Sequence, residues 1–199
     1  MLDRLIEAFS GEGLVFMYAI TLVGAYSLSI SIDRIYSFWF RWKCDWDTLH
    51  KTIKEQNWDE AEKLSSNHPV SNLFVSTAHH QSTDDIWDQI GSAAPEIEEK
   101  VEKRIGMISA CGNIATMLGL LGTVYGLIFA LQGLEQANML ERSTRLSEGI
   151  STAMLTTAWG LIVGVPCLAA HAFLSSKSNR ILSKVEAVAA LIAQYKKRK

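Results

Sequence analysis

Charge is missing where a soluble protein would scatter it. No Asp, Glu, Lys or Arg occurs in Leu14–Ile32, Ile105–Gln132 or Ile150–Ser176, stretches of 19, 28 and 27 residues. Helices rise about 1.5 Å per residue, so each stretch is long enough to cross a bilayer's hydrocarbon core of roughly 30 Å. Other absences narrow the function. Three cysteines, two of them inside apolar stretches, make no disulfide framework and read as small packing residues. His79–His80 has no Cys, Asp or Glu beside it at metal-ligand spacing, so no metal site is expected. No Ser, Cys and His form a nucleophile and base, so the chain is not read as an enzyme, and no cofactor is expected. No lysine follows Gly119, Gly122 and Gly126 and no strand precedes them, which excludes a phosphate loop. The net charge is −2 and the basic cluster is confined to Lys196–Lys199, which leaves no nucleic-acid surface. A cleaved leader is not expected either, because Asp3, Glu7 and Glu12 stand where positive charge belongs.

What is present reads as an all-α membrane protein with three transmembrane helices, the second and third extended into the cytoplasm. Lysine and arginine set the orientation. Sixteen of the 19 fall between the first and second apolar stretches or after the third, and three fall on the opposite side. By the positive-inside rule the N-terminus is outside and both large polar parts are cytoplasmic. Residues 1–13 form a short outer amphipathic segment with Leu2, Leu5, Ile6 and Phe9 on one face. Residues 14–40 make the first transmembrane helix and its interfacial belt, and 41–95 a cytoplasmic helical region. Within that region Asp47–Leu64 reads as one helix, and another runs from about Pro69 to His80. The second helix takes 96–132, with Pro95 in its first turn and 105–132 in the membrane. A short outer loop (133–148), the third transmembrane helix (149–176) and a cytoplasmic helical tail (177–199) complete the chain.

The apolar stretches are rich in small residues. Ala115, Gly119, Gly122 and Gly126 fall at i, i+4, i+7 and i+11, one smooth helical stripe, with Thr116 and Thr123 beside it. Each such glycine costs about 1 kcal/mol relative to alanine in a soluble helix, whereas in a membrane it lets a neighbouring helix approach closely. In the third stretch Thr152, Thr156, Gly160 and Gly164 repeat at i+4, Thr157 lies next to them, and Pro166 follows. Both stripes read as packing surfaces with hydroxyls and no carboxylate.

At this point the residues resemble a family. Gly119–Gly126 (GLLGTVYG) and Ile150–Pro166 (ISTAMLTTAWGLIVGVP) are similar to the second- and third-helix signatures of the ExbB/TolQ/MotA proton-channel family, in its three-helix ExbB/TolQ branch. The resemblance implies a motor subunit of the bacterial inner membrane, driven by ion flow, that converts this flow into mechanical work at the cell envelope. It implies a homo-oligomeric ring, a pentamer, around a single-span ExbD/TolR-like partner that supplies a protonatable aspartate, all in contact with membrane lipid. Thr123 and Thr157 match the family's two pore-facing threonines. Thr116, Thr152 and Thr156 would add hydroxyls, and Gly119, Gly122, Gly126, Gly160, Gly164 and Pro166 would pack the helices. The resemblance implies a proton as the ion; Thr152 stands where members often carry a glutamate, which leaves sodium as the alternative. A scaffold that assembles an envelope complex without conducting is the other function considered.

Overall fold

The computed structural model describes residues 14–42, 45–66, 68, 70, 71, 73, 74, 83–135 and 138–196. The expected outer amphipathic segment 1–13, the basic residues 197–199 and most of the helix expected at 69–80 lie outside them. Among the described residues there is no strand. The helices are α1 (Leu14–Tyr36), continued by a π-helical turn at Ser37–Arg41, then α2 (Trp46–Lys54) and α3 (Trp58–Ser65). After these come α4 (Thr83–Glu102), α5 (Ile105–Gln132), a 3-10 turn at Gly133–Glu135 and α6 (Met139–Lys196). Three helical segments, Leu14–Phe40, Asp88–Gln132 and Met139–Tyr195, are long and apolar enough to cross a membrane. The protein is an all-α membrane protein.

Two compact units make up the chain: residues to Ser31 with Gly106–Ala172, and Ile32–Ile105 with Phe173–Lys199. In the first unit α5 buries Ala115, Gly119, Gly122, Gly126 and Ala130, while α6 buries Gly149, Ala153, Thr156, Gly160 and Gly164. Steps of three and four residues keep each set on one helical face. From α1, Met17 and Ile20 are fully buried, and Val163 of α6 sits over Gly24. The Trp159 indole Nε1–H donates to Thr21 Oγ1 at 3.0 Å, and the Phe16 and Tyr125 rings lie 5.5 Å apart.

In the second unit, α2 starts at Asp45, whose carboxylate accepts from the backbone N–H groups of Asp47 and Thr48 and from the Thr48 hydroxyl. This is an N-cap, placing a negative charge at the positive end of the helix. Leu49, Ile53 and Ala61 are fully buried. Ile90, Ala93, Ile97 and Val101 line one face of α4, and Leu174, Ile181, Val185, Val188 and Ile192 one face of α6. Steps of three, four and seven residues keep each set on one helical face.

Several boundaries differ from expectation. The single helix expected at Asp47–Leu64 is two, because Gln56 takes φ 59 and Asn57 opens α3 by donating its side-chain amide to Glu60. Pro95 lies inside α4, not in the first turn of the second helix, and removes one bond, the N–H to the Gly91 carbonyl. The break comes instead at Lys103–Arg104, where Arg104 has φ 64. α6 begins at Met139, within the stretch read as an outer loop, and continues unbroken through 58 residues past Pro166. Its first turns (MLERSTRLSE) are polar but rich in Met, Leu, Glu and Arg, strong helix formers that hydropathy does not register.

His68 is 3% exposed between the edges of two indoles, its ring centroid 4.9 Å from Trp46 and 6.3 Å from Trp42. Burial, and secondarily the Lys184 charge, push its pKa down from 6.5 to about 4. An unfolded chain protonates this imidazole near 6.5 while the folded one resists, so stability falls as pH drops from 6.5 to about 4 and is level below. The expected loss is about 3 kcal/mol across that window. NMR of the labelled imidazole should show His68 titrating near the lower value; a midpoint near 6.5 would refute the buried placement.

Candidate functional site

The hydroxyl- and glycine-bearing faces of α5 and α6 form one seam inside the chain. At its centre the helices meet backbone to backbone. A β-carbon added at Gly119 would lie 3.1 Å from Gly160 Cα, and one added at Gly160 would lie 2.9 Å from both Gly119 Cα and the Ala115 carbonyl oxygen. Real β-carbons do not come closer than about 3 Å to another heavy atom. Towards one end, a β-carbon added at Gly126 would lie 2.8 Å from Ala153 N and from the Gly149 carbonyl oxygen; towards the other, one added at Gly164 would lie 2.5 Å from Thr116 Oγ1. Pro166 interrupts the bonding of α6 just beyond, leaving the Ile162 carbonyl without its helical N–H.

The five threonines take different places. Thr157 Oγ1 lies 3.3 Å from the Gly119 carbonyl across the seam and 3.3 Å from the Ala153 carbonyl of its own helix. Thr156 is 1% exposed, packs on Gly122, and donates to Thr152 O and Ala153 O at 3.0 Å. Within this chain it is a seam residue. Thr116 donates to Gly112 O at 2.9 Å. Thr123, half-buried, donates to Leu120 O, and Thr152 is half-buried beside the seam. Thr152 leaves the seam because a strict i+4 repeat drifts about 40° per step on a helix of 3.6 residues per turn. The buried line steps instead through Gly149, Ala153, Thr156 and Gly160.

Chemically the seam is neutral. Hydroxyl donors bonded to carbonyls keep free lone pairs on oxygen, so they can accept from or solvate a group that arrives from outside. No carboxylate lies in either charge-free stretch to exchange a proton. Among the described residues no group of three His, Cys, Asp or Glu side chains is arranged to hold a metal. The reading of the sequence did not find Gly149 or Gly24 as close-approach positions. Gly149 precedes the apolar run, and Gly24 is a lone glycine in α1 whose partner, Val163, is 139 residues away in sequence.

A model of the MotA/TolQ/ExbB proton channel family matches residues 51–187. The chain belongs to that family. Biopolymer transport protein exbB1 of Vibrio cholerae is 32% identical over 128 residues, 63% of this chain and 56% of that protein. The Tol-Pal system protein TolQ of Pseudomonas aeruginosa is 29% identical over 87 residues, 44% of this chain and 37% of that protein. A putative ExbB-like 2 transport protein of Helicobacter pylori is 27% identical over 89 residues, 45% of this chain and 59% of its own. The chain thus matches between about a third and three-fifths of the length of these curated relatives. The MotA/TolQ/ExbB match takes in all of α3, α4 and α5 and most of α6, so the whole seam lies inside it; α1, with Thr21 and Gly24, does not.

Proposed function

We propose that this chain is the ring-forming subunit of a motor driven by an ion gradient across the bacterial inner membrane. Several copies, five by family resemblance, surround the membrane helix of an ExbD/TolR-like partner and convert ion flow into mechanical work at the envelope. The observation that carries this reading is a membrane seam with hydroxyls and no carboxylate in a chain of a proton channel family. Such a wall needs the titratable group to come from another chain. Proton is the ion proposed, with sodium as the alternative. Large apolar side chains cover the outward faces of the hairpin, Leu120, Leu121, Leu127 and Ile128 on α5 and Met154, Leu161, Ile162 and Val165 on α6. That is more than one lipid-facing strip and is consistent with neighbours on the flanks.

The test is ion flux. Vesicles holding this chain with its partner should pass protons, or sodium, and vesicles holding either alone should not. An assembled complex that passes neither ion would support a non-conducting scaffold instead. The proposed orientation puts α4 and the end of α6 in the cytoplasm, so a cysteine introduced at Asp84 should resist impermeant reagents in intact cells while one at Ala137 reacts. Labelling at position 84 from outside would overturn it.

A further inference from the structure

In the second unit a cleft of about 1090 Å³ opens between the π-helical turn, the start of α2 and the far part of α6. Lys177, Arg180 and Lys184 line it, at i, i+3 and i+7 on α6 and therefore on one face. All three are exposed, and among the described residues no carboxylate pairs with any of them. The single carboxylate among the described lining residues, Asp45, is engaged as the N-cap of α2 and stays ionised: the Thr48 hydroxyl, then the Thr48 backbone N–H, holds it below the ordinary carboxylate range. Three cations against one carboxylate leave the cleft positive.

The aromatic wall adds a fixed donor. His68 Nδ1 accepts from the Val70 N–H at 3.2 Å, so the proton of the neutral ring sits on Nε2. Among the described residues that Nε2 is buried without a partner, and His68 lines the cleft. An unsatisfied buried donor is costly, and an acceptor entering the cleft would relieve it. Lys184 Nζ stands 5.1 Å over the Trp46 ring, which holds that cation against the aromatic wall.

A second, smaller hollow of about 220 Å³ adjoins it, lined by Ile35, Phe38, Trp39, Phe173, Leu174 and Lys177. Lys177 is its one charged residue among those described, and Phe38 and Lys177 belong to both linings. A positive cleft with a buried N–H donor thus shares its rim with an apolar slot, at the point where the membrane-crossing segment Leu14–Phe40 ends. Basic pockets at that depth take anionic headgroups, and the slot would take the first part of an acyl chain. A free phosphate would use only the cleft.

We infer that this cleft and slot together form a binding site for an anionic phospholipid, the headgroup phosphate held by Lys177, Arg180, Lys184 and His68 Nε2–H. The test uses the full chain in detergent, stripped of lipid and titrated with phosphatidylglycerol or phosphatidylcholine, with bound lipid counted by native mass spectrometry. Phosphatidylglycerol should be retained at least about tenfold more tightly, and Arg180→Gln or Lys184→Gln should each reduce that preference about fivefold. His68→Phe keeps an aromatic ring and all three cations but lacks the donor, and should also reduce retention. Glycerol phosphate and inorganic phosphate at equal concentration should not displace the lipid. Equal retention of the two lipids, or an unchanged preference in both charge variants, would overturn the assignment. Displacement by inorganic phosphate would show a free-anion site, and displacement by a poly-glutamate peptide a protein-docking site; either result would also overturn it.

Discussion

Valine at both Thr123 and Thr157 should leave an assembled complex that passes almost no ions. Valine keeps the β-branched shape of threonine and removes the hydroxyl, so packing is little disturbed. Thr157 loses its approaches to the Gly119 and Ala153 carbonyls, both 3.3 Å, and Thr123 its bond to Leu120 O. In a membrane such bonds contribute on average only about 0.6 kcal/mol, too little to break the helix pair. Ion passage through the proposed pore should be more sensitive. If the two hydroxyls solvate the partner's carboxylate, losing about 1.4 kcal/mol there changes an occupancy or rate tenfold, and two such losses compound. Flux through vesicles, compared with complex yield on native gels, separates the effects. Wild-type flux in the assembled double variant would reduce both threonines to packing residues, and the same assay with and without sodium at fixed pH identifies the ion.

Leucine at Gly160 or Gly122 should act the other way, removing the assembled complex altogether. The closest atoms at Gly160 are backbone, Gly119 Cα and the Ala115 carbonyl oxygen, so no rotamer change relieves the clash. At Gly122 the obstacle is Thr156 Cβ, 2.6 Å from the added carbon and fixed to its helix by the Thr156 back-bonds. Overpacking a core generally costs about 1–3 kcal/mol, and more where the backbone cannot move. Since the two helices belong to one chain, the lesion is in the folded subunit before any ring forms. Gly106→Leu is the matched control, because nothing lies within 4 Å of a β-carbon added there. Native-gel assembly and thermal unfolding should show the control intact and the seam variants lost. A normally assembled Gly160→Leu would mean that this crossing does not exist.

Much of this fold is legible in the sequence. Charge-free runs announce membrane helices because a buried charge is costly in lipid, and that signal needs no partner residue. The α5 stripe was also legible, since Ala115, Gly119, Gly122 and Gly126 alternate steps of four and three as the helix itself does. Less visible were features decided by a second element. The i+4 repeat of α6 named Thr152 and passed over Gly149 and Ala153, because matching residue types at even spacing is not the same as holding one face. The turn at Gln56, where φ is 59, was hidden because glutamine is a good helix former. Local sequence did not announce the cleft lined by Lys177, Arg180 and Lys184 either: His68 and Trp46 join it from more than a hundred residues away.

The crossing at Gly119 and Gly160 also constrains how the chain can change over generations. Where two α-carbons face each other, the two positions have nothing to trade: a larger residue on one side cannot be compensated by a smaller one opposite, since both are already the smallest available. Any codon change that replaces either glycine adds a β-carbon and meets backbone. Ordinary core contacts drift by paired substitution, but this one has no neighbouring sequence that is nearly as good. It is a point the lineage can keep or lose and cannot gradually redesign.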